Sequence, residues 1–352
     1  MADLSTKIKH IAVMRLSAMG DVAMTVPVLR AFVKQYPEVK LTVISRPFFK
    51  PFFDGIPNVE FFAFDEKERH KGFLGLLRLF KDVKKLKIDA FADLHNVLRS
   101  KVVSLLFALS GKKRATVDKG REGKKELTRA ENKIFKQLPT MFERHAKVFS
   151  ALGFPVDLSS RSFGTEFPKK AVLSAEITDL IGENYQKLIG IAPFAQYDSK
   201  VYPLDLMQEV IAKLAENKDQ TILLFGGGKK EIEILDSLSE PFKNVINVAG
   251  KIKFQQELKL ISNLDVMLSM DSGNAHIAAM LGVKVVTLWG ATHPYAGFLP
   301  FNQTLENALT SDRDQYPKLP TSVYGNKIVE GYEDAMRTIS PKQVVKKIES
   351  GI

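Results

Sequence analysis

Apolar positions in the first half of the chain come in short, nearly unbroken runs. HIAVMRL (10–16), KLTVIS (40–45), VEFFAF (59–64) and IDAFADL (88–94) are rich in β-branched or aromatic residues, the composition of strands buried on both faces. Between them, at 21–35, 73–87 and 97–110, the apolar spacing lengthens to three and four residues, the period of an amphipathic helix. The pattern pauses over GFPVDLSSRSFGTEFPKK (153–170) and then restarts. Strands are expected at 187–193, 220–226, 244–249, 264–270 and 284–290, with helices at 203–216, 229–239, 254–263 and 274–281. Continuous apolar strands alternating with helices predict parallel sheets covered on both sides. The fold class is therefore α/β, with two Rossmann-like domains in tandem: a first over 1–165, a linker near 153–172, a second over 172–336, and a C-terminal helix over 337–352. A cleft is expected between the domains. Ligands of such sheets sit beyond the carboxyl ends of the strands, so the turns there are where chemistry is sought.

Two of those turns carry candidate residues. HIAVMRL runs through SAMGD into a helix; Gly20 permits a tight turn, and N–H groups at the helix start suit an anion. Asp21 stands where a general base could act, although the helix dipole alone explains an acid there. One glycine where a dinucleotide turn has three argues against NAD. In the second half, LDVMLSMDSGNAHIAAMLGVKVVTLWG places a buried strand, a small polar turn and a small-residue helix in succession, the anatomy of a phosphate cradle. Asp271 and Ser272 are expected to cap the helix, Gly273 to admit close backbone approach, and Asn274 and His276 to add donors. A lone histidine on a first turn is ordinarily structural; its neighbours favour a ligand here. Upstream, IAPFAQYDSKVYPLD sets Gln196 and Lys200 after a strand, with Lys200 suited to phosphate. LLFGGGKKEIE sets Glu231 where a carboxylate could bind ribose hydroxyls.

Composition narrows the function. The 352 residues are 45% hydrophobic and 26% charged, as in soluble globular proteins. No apolar run reaches the length of a membrane span, and the N-terminus lacks a secretory pattern, so a cytoplasmic location is expected. The absence of cysteine excludes disulfides, thiol nucleophiles and thiolate metal sites. Net charge is +11, and the segment 112–136 holds ten Lys or Arg against four acids, favouring an acidic partner. Lys112, Lys113, Arg114, Lys119 and Arg121 are its candidate acceptor contacts, a solvated loop being the competing reading. FFKPFF (48–53) and the basic helix 72–87 suit peripheral contact with an anionic inner membrane, although core packing by Leu76, Phe80 and Val83 is the favoured reading of that helix. Asp312 and Asp314 read as surface charge, so no metal is expected. A nucleotide-sugar epimerase would share the donor site but needs further acid and base groups. A nucleic-acid binder would explain the charge, yet no aromatic interrupts the basic segment before Phe135, so no nucleic-acid partner is expected.

RLSAMGDVAMTVPVL, SKVYPLD, the glycine turn with Glu231, MDSGNAHIAAMLGVKVVTLWGATHP and the tail MRTISPKQVVKKI together resemble the lipopolysaccharide heptosyltransferase family, glycosyltransferase family 9, in order over nearly the whole chain. The resemblance implies a B-type glycosyltransferase fold with facing domains, acceptor on the first and donor on the second, and a C-terminal helix packing back toward the first. It implies inverting transfer of heptose from ADP-heptose to a lipid-linked saccharide, with no cofactor. On it, Asp21 matches the catalytic base, Lys200 a phosphate contact, Glu231 the ribose acid, and Asp271 to Gly273 with His276 the pyrophosphate loop. Asn274 departs from the pattern, standing where a bulkier apolar residue is frequent.

Overall fold

The computed structural model describes residues 8–159, 167–168, 170–182, 185–327 and 329–350, and its strands form two sheets, parallel throughout. The chain divides into two compact units. The first comprises Met1–Gly120 and Pro139–Thr165, the second Arg121–Leu138 and Glu166–Ile352. Part of the expected linker, 160–166 and 169, lies outside the described residues.

The first unit holds β1 (His10–Met14), β2 (Lys40–Ser45), β3 (Val59–Ala63), β4 (Ala90–Asp93) and β5 (Lys113–Thr116), in the order β3-β2-β1-β4-β5. Alternation along β1 sends Ala12 and Met14 into one cluster with Leu76, Leu79, Val103 and Phe107, because successive strand side chains point to opposite faces. The helices Gly72–Lys84 and Leu98–Leu109 supply that cluster, and Phe80 meets Phe107 edge-on with ring centres 4.8 Å apart. Helices Thr25–Gln35 and Met141–Leu152 also pack together, with Phe32 and Phe149 4.7 Å apart.

The second unit holds β6 (Lys187–Ala192), β7 (Gln220–Leu224), β8 (Val245–Asn247), β9 (Val266–Met270), β10 (Lys284–Trp289) and β11 (Ala308–Thr310), in the order β11-β10-β9-β6-β7-β8. Its main core lies between the sheet and helices that include Leu204–Ala215. The C-terminal helix Pro341–Glu349 buries Val344 and Ile348 in this second core. Four-residue spacing gives it one apolar edge, and that edge is satisfied by the unit it follows.

The basic stretch 112–136, expected to act as one segment of the first domain, is divided. Its start becomes β5, while Arg121–Thr128 is a helix of the second unit. Lys133 donates from Nζ to the carbonyls of Leu127 (2.9 Å) and Pro320 (2.8 Å). Phe135 lies under the Arg313 guanidinium at 3.4 Å and against His293 and Tyr295. The aromatic that limits the basic run is thus what anchors it.

Candidate functional site

In a parallel sheet whose strand order reverses, the reversal opens a crevice at the carboxyl ends of the two strands beside it. In the second sheet those strands are β6 and β9. After β6 the chain makes a 3-10 turn, Asp198–Lys200, and β9 leads directly into DSGNAH. The Lys200 ammonium lies 2.5 Å from the Asp271 carbonyl oxygen and 3.3 Å from its Oδ2. Thr292, beyond β10, donates to the same Oδ2 at 2.9 Å. Both members of the ion pair are about nine-tenths buried. An ammonium has three N–H donors, so Asp271 takes two and leaves one.

This arrangement corrects the expected capping. Asp271 is occupied by Lys200 and Thr292, while Ser272, the residue at the N-cap, makes no side-chain cap bond; its hydroxyl meets that of Ser269 at 3.0 Å. The first turn of the helix Gly273–Met280 therefore has no side-chain cap, and its dipole favours an anion. Gly273 and Asn274 are half-buried beside it and His276 is buried. Glu231 follows β7, in the first turn of the helix Lys229–Ser239, with Oε2 accepting the Gly227 N–H at 2.8 Å. Gln196 is exposed, four positions ahead of Lys200 on the same loop. Neighbouring strands β7, β6, β9 and β10 thus deliver Glu231, Lys200, the DSGNAH turn and Thr292 in that spatial order along one edge.

The turn bearing Lys200 is held from behind. The Ser199 carbonyl accepts the Ala291 N–H at 3.0 Å, and its hydroxyl donates to the Gly325 carbonyl at 2.6 Å. A Cβ on Gly290 would run into the Ser199 carbonyl. Gly325 has φ +87°, and a Cβ there would stand 2.7 Å from the Lys200 Cγ, so the lysine stem passes where only glycine leaves room.

In the first sheet the order reverses between β1 and β4. Asp21, beyond β1, pairs with Arg15 at 2.5 Å and keeps about a third of its side chain exposed. Arg15 is buried and pinned by the carbonyls of Ser17 and Leu94, each at 2.8 Å, so it fixes the carboxylate in place. Gly20 lies within the helix Met19–Ala23, its carbonyl accepting the Met24 N–H, so the tight turn does not use its freedom. At the end of β4, Asp93 accepts the N–H groups of His95 (2.9 Å) and Asn96 (2.8 Å) and the Ser100 hydroxyl (2.9 Å). His95 is buried, and its Nδ1 has no hydrogen-bond partner among the described residues. Burial, then the positive charges of Arg15 and Lys119, push the His95 imidazole down to about 3. It is neutral in the folded chain.

Lys119 thus belongs beside Asp21 and His95, whereas the other basic candidates do not gather there. Lys112 precedes β5, Lys113 donates to the Leu152 carbonyl at 3.0 Å, and Arg114 reaches the Ser104 hydroxyl at 3.3 Å. These lie toward the amino end of β5, the edge opposite the crevice. Arg121 is exposed at the start of a helix in the second unit. Arg15, His95, Ser199 and Thr292 were missed in the sequence. Arg15, Ser199 and Thr292 lie inside the quoted motifs, but which side chain turns inward depends on partners from other strands. The acidic pair resolves locally: Asp312 Oδ1 accepts the Asp314 N–H at 2.7 Å. Among the described residues no group of three His, Asp or Glu is arranged to hold a metal, and no helix is long and apolar enough to cross a membrane.

The sequence profile of glycosyltransferase family 9 (heptosyltransferase) matches residues 76–327, more than two thirds of the chain. The chain belongs to glycosyltransferase family 9. It is a glycosyltransferase, with the parallel-sheet architecture of the B-type fold. Among curated relatives, the lipopolysaccharide core heptosyltransferase OpsX of Haemophilus influenzae is 25% identical over 86% of this chain and 84% of its own. A family 9 glycosyltransferase of Veillonella parvula superposes with a TM-score of 0.73 at 19% identity, covering 97% of this chain and 96% of that one. Escherichia coli heptosyltransferase WaaC has been solved with ADP (TM-score 0.63, 17% identity, 97% and 100% coverage). Its complex with ADP-2-deoxy-2-fluoro heptose gives the same TM-score at 16% identity, with 98% and 100% coverage.

Proposed function

We propose that this family 9 glycosyltransferase moves heptose from an ADP-heptose donor onto a lipopolysaccharide core or similar lipid-linked saccharide at the cytoplasmic face of the inner membrane. The carrying observation is the Lys200–Asp271–Thr292 cluster beside an uncapped helix start at the β6/β9 reversal. Oriented amides and one remaining lysine N–H suit a pyrophosphate there. Glu231, one strand away, then faces the ribose hydroxyls. Ser272, Gly273, Asn274, His276 and Gln196 line the donor's path, and Asp271 acts by aiming Lys200 rather than by touching phosphate, since two anions would repel. The acceptor hydroxyl oxygen attacks the anomeric carbon as the bond from that carbon to the phosphate oxygen breaks. Configuration inverts, the hydroxyl proton passes to Asp21, and ADP leaves with the bonding pair, its charge offset by Lys200 and the helix start. Lys119 and Arg15 give the acceptor side its positive field.

Asp21 belongs to the first unit and the donor groups to the second, so binding and proton transfer are separable. Asp21→Asn is expected to lower kcat by roughly 10²–10⁴-fold while the dissociation constant for ADP-heptose, measured by calorimetry, stays within about twofold. Turnover near wild type at unchanged donor affinity would remove Asp21 from the mechanism.

A further inference from the structure

The helix Leu98–Leu109 carries its most exposed apolar side chains on its outward side. Leu98 is 79% exposed, Leu105 51% and Leu109 77%, at an i, i+7, i+11 spacing, while Val102 between them is half-buried against the inner cluster. Its inward side is Ser100, Val103, Ser104 and Phe107. The helix packed beside it, Gly72–Lys84, begins with Phe73 at 65% and Leu74 at 67% exposure, while its Leu76, Leu79 and Val83 are buried. The core-packing reading of that helix therefore holds for Leu76, Val83 and half-buried Phe80, with Leu79 added, and a second apolar group is left outside. The FFKPFF segment contributes little, since Phe49, Phe52 and Phe53 are buried and only Phe48 is exposed.

Exposed leucines in a patch normally mark a partner surface, and charge says which partner. These two helices carry Arg78, Lys81, Lys84, Arg99 and Lys101 against one acid, Asp82. Asp82 is itself bound by Arg69 at 2.7 Å and Arg99 is paired with Glu66 at 3.2 Å, so the surface presents apolar side chains among Arg78, Lys81, Lys84 and Lys101. A second copy would set those cations against one another, whereas an anionic bilayer would receive both features. In a parallel sheet both helices start at the edge where the strands end, so Phe73, Leu74 and Leu98 begin beside the edge that bears Asp21. We propose that the outward faces of Gly72–Lys84 and Leu98–Leu109 form a membrane-docking surface for anionic lipid, with Leu98, Leu105, Leu109, Phe73 and Leu74 entering the headgroup boundary. Lys81, Lys84 and Lys101 engage lipid phosphates.

The proposal is independent of the transfer chemistry and is tested without it. Full-length protein is mixed with vesicles of phosphatidylglycerol and phosphatidylethanolamine, or of phosphatidylcholine alone, and sedimented. Binding to the anionic vesicles is expected, weakening as salt is raised, with at least a tenfold weaker partition constant for Leu105→Glu/Leu109→Glu. The Phe73→Trp protein should be quenched by brominated anionic lipid; the native Trp289 is buried and supplies the background. Wild-type partitioning in the double variant, equal binding to neutral vesicles, or no quenching at position 73 would each overturn the proposal. So would a dimer in light scattering that the double variant converts to monomer, since the patch would then bind a second copy.

Discussion

Lys200 is a nearly buried cation, and the way its charge is compensated decides what the residue can do. One donor goes to the Asp271 carbonyl and one to its Oδ2, shared with Thr292, so the carboxylate balances the charge and one N–H is left for a ligand. Two of the buried histidines, His95 and His293, follow the opposite course and shed their charge. His95 is pushed down to about 3 and His293 to about 4, in both cases first by burial and then by neighbouring cations. In the unfolded chain an imidazole titrates near 6.5, so between that pH and about 4 the unfolded state binds more protons than the folded one. Stability is thus present in full above pH 6.5 and lost as pH falls through that window. Thermal unfolding followed from pH 7 to 4.5 should show the melting temperature falling steadily, and His95→Gln/His293→Gln should flatten the slope. An identical slope in the variant would assign the acid sensitivity to other groups.

At the scale of elements, the site depends on a three-residue turn pressed between β6 and the loop after β10. Gly290 matters because the Ser199 carbonyl occupies the space a side chain would need. Gly290→Ala is predicted to push the Asp198–Lys200 turn outward and to lower kcat/KM for the donor at least tenfold, because small misplacement of a charged group costs large factors. The circular dichroism spectrum should stay unchanged. Kinetics like wild type would show that the turn adjusts without moving Lys200. Elements were legible where one signal dominated: apolar runs marked nine of the strands, and 229–239 is the helix Lys229–Ser239 in full. β5 was not, because KRAT reads as part of a basic run and becomes a strand only by pairing with β4. β11, three residues long, likewise exists through β10.

For the whole molecule, the proposed donor groups Glu231, Lys200 and the DSGNAH turn are all carried by the second unit. A nucleotide should therefore stabilise the protein without any acceptor. Ligand at about a hundred times its Kd adds roughly 2.7 kcal/mol, which for a domain of this size raises the melting temperature by several degrees. ADP is expected to do so and UDP, CDP and GDP to do so much less. Equal shifts from all four would leave the pyrophosphate site standing and withdraw the adenine preference.

The linear sequence settled whatever depends on local period and local chemistry. Strand after strand could be read from its apolar run, and Asp21, Lys200, Glu231 and DSGNAH all fall just beyond strand ends, because in a parallel sheet that position is where side chains reach a crevice. Tertiary structure alone decided which partners those residues have. That Asp271 aims a lysine instead of capping its helix follows from Thr292 and Lys200 arriving on different strands. The division of one basic run between two units follows from Phe135 finding Arg313, and the unsatisfied outward stripe of Leu98–Leu109 is visible only once the inward side is known to be filled. Such facts are long-range pairings, and no window of sequence contains both members.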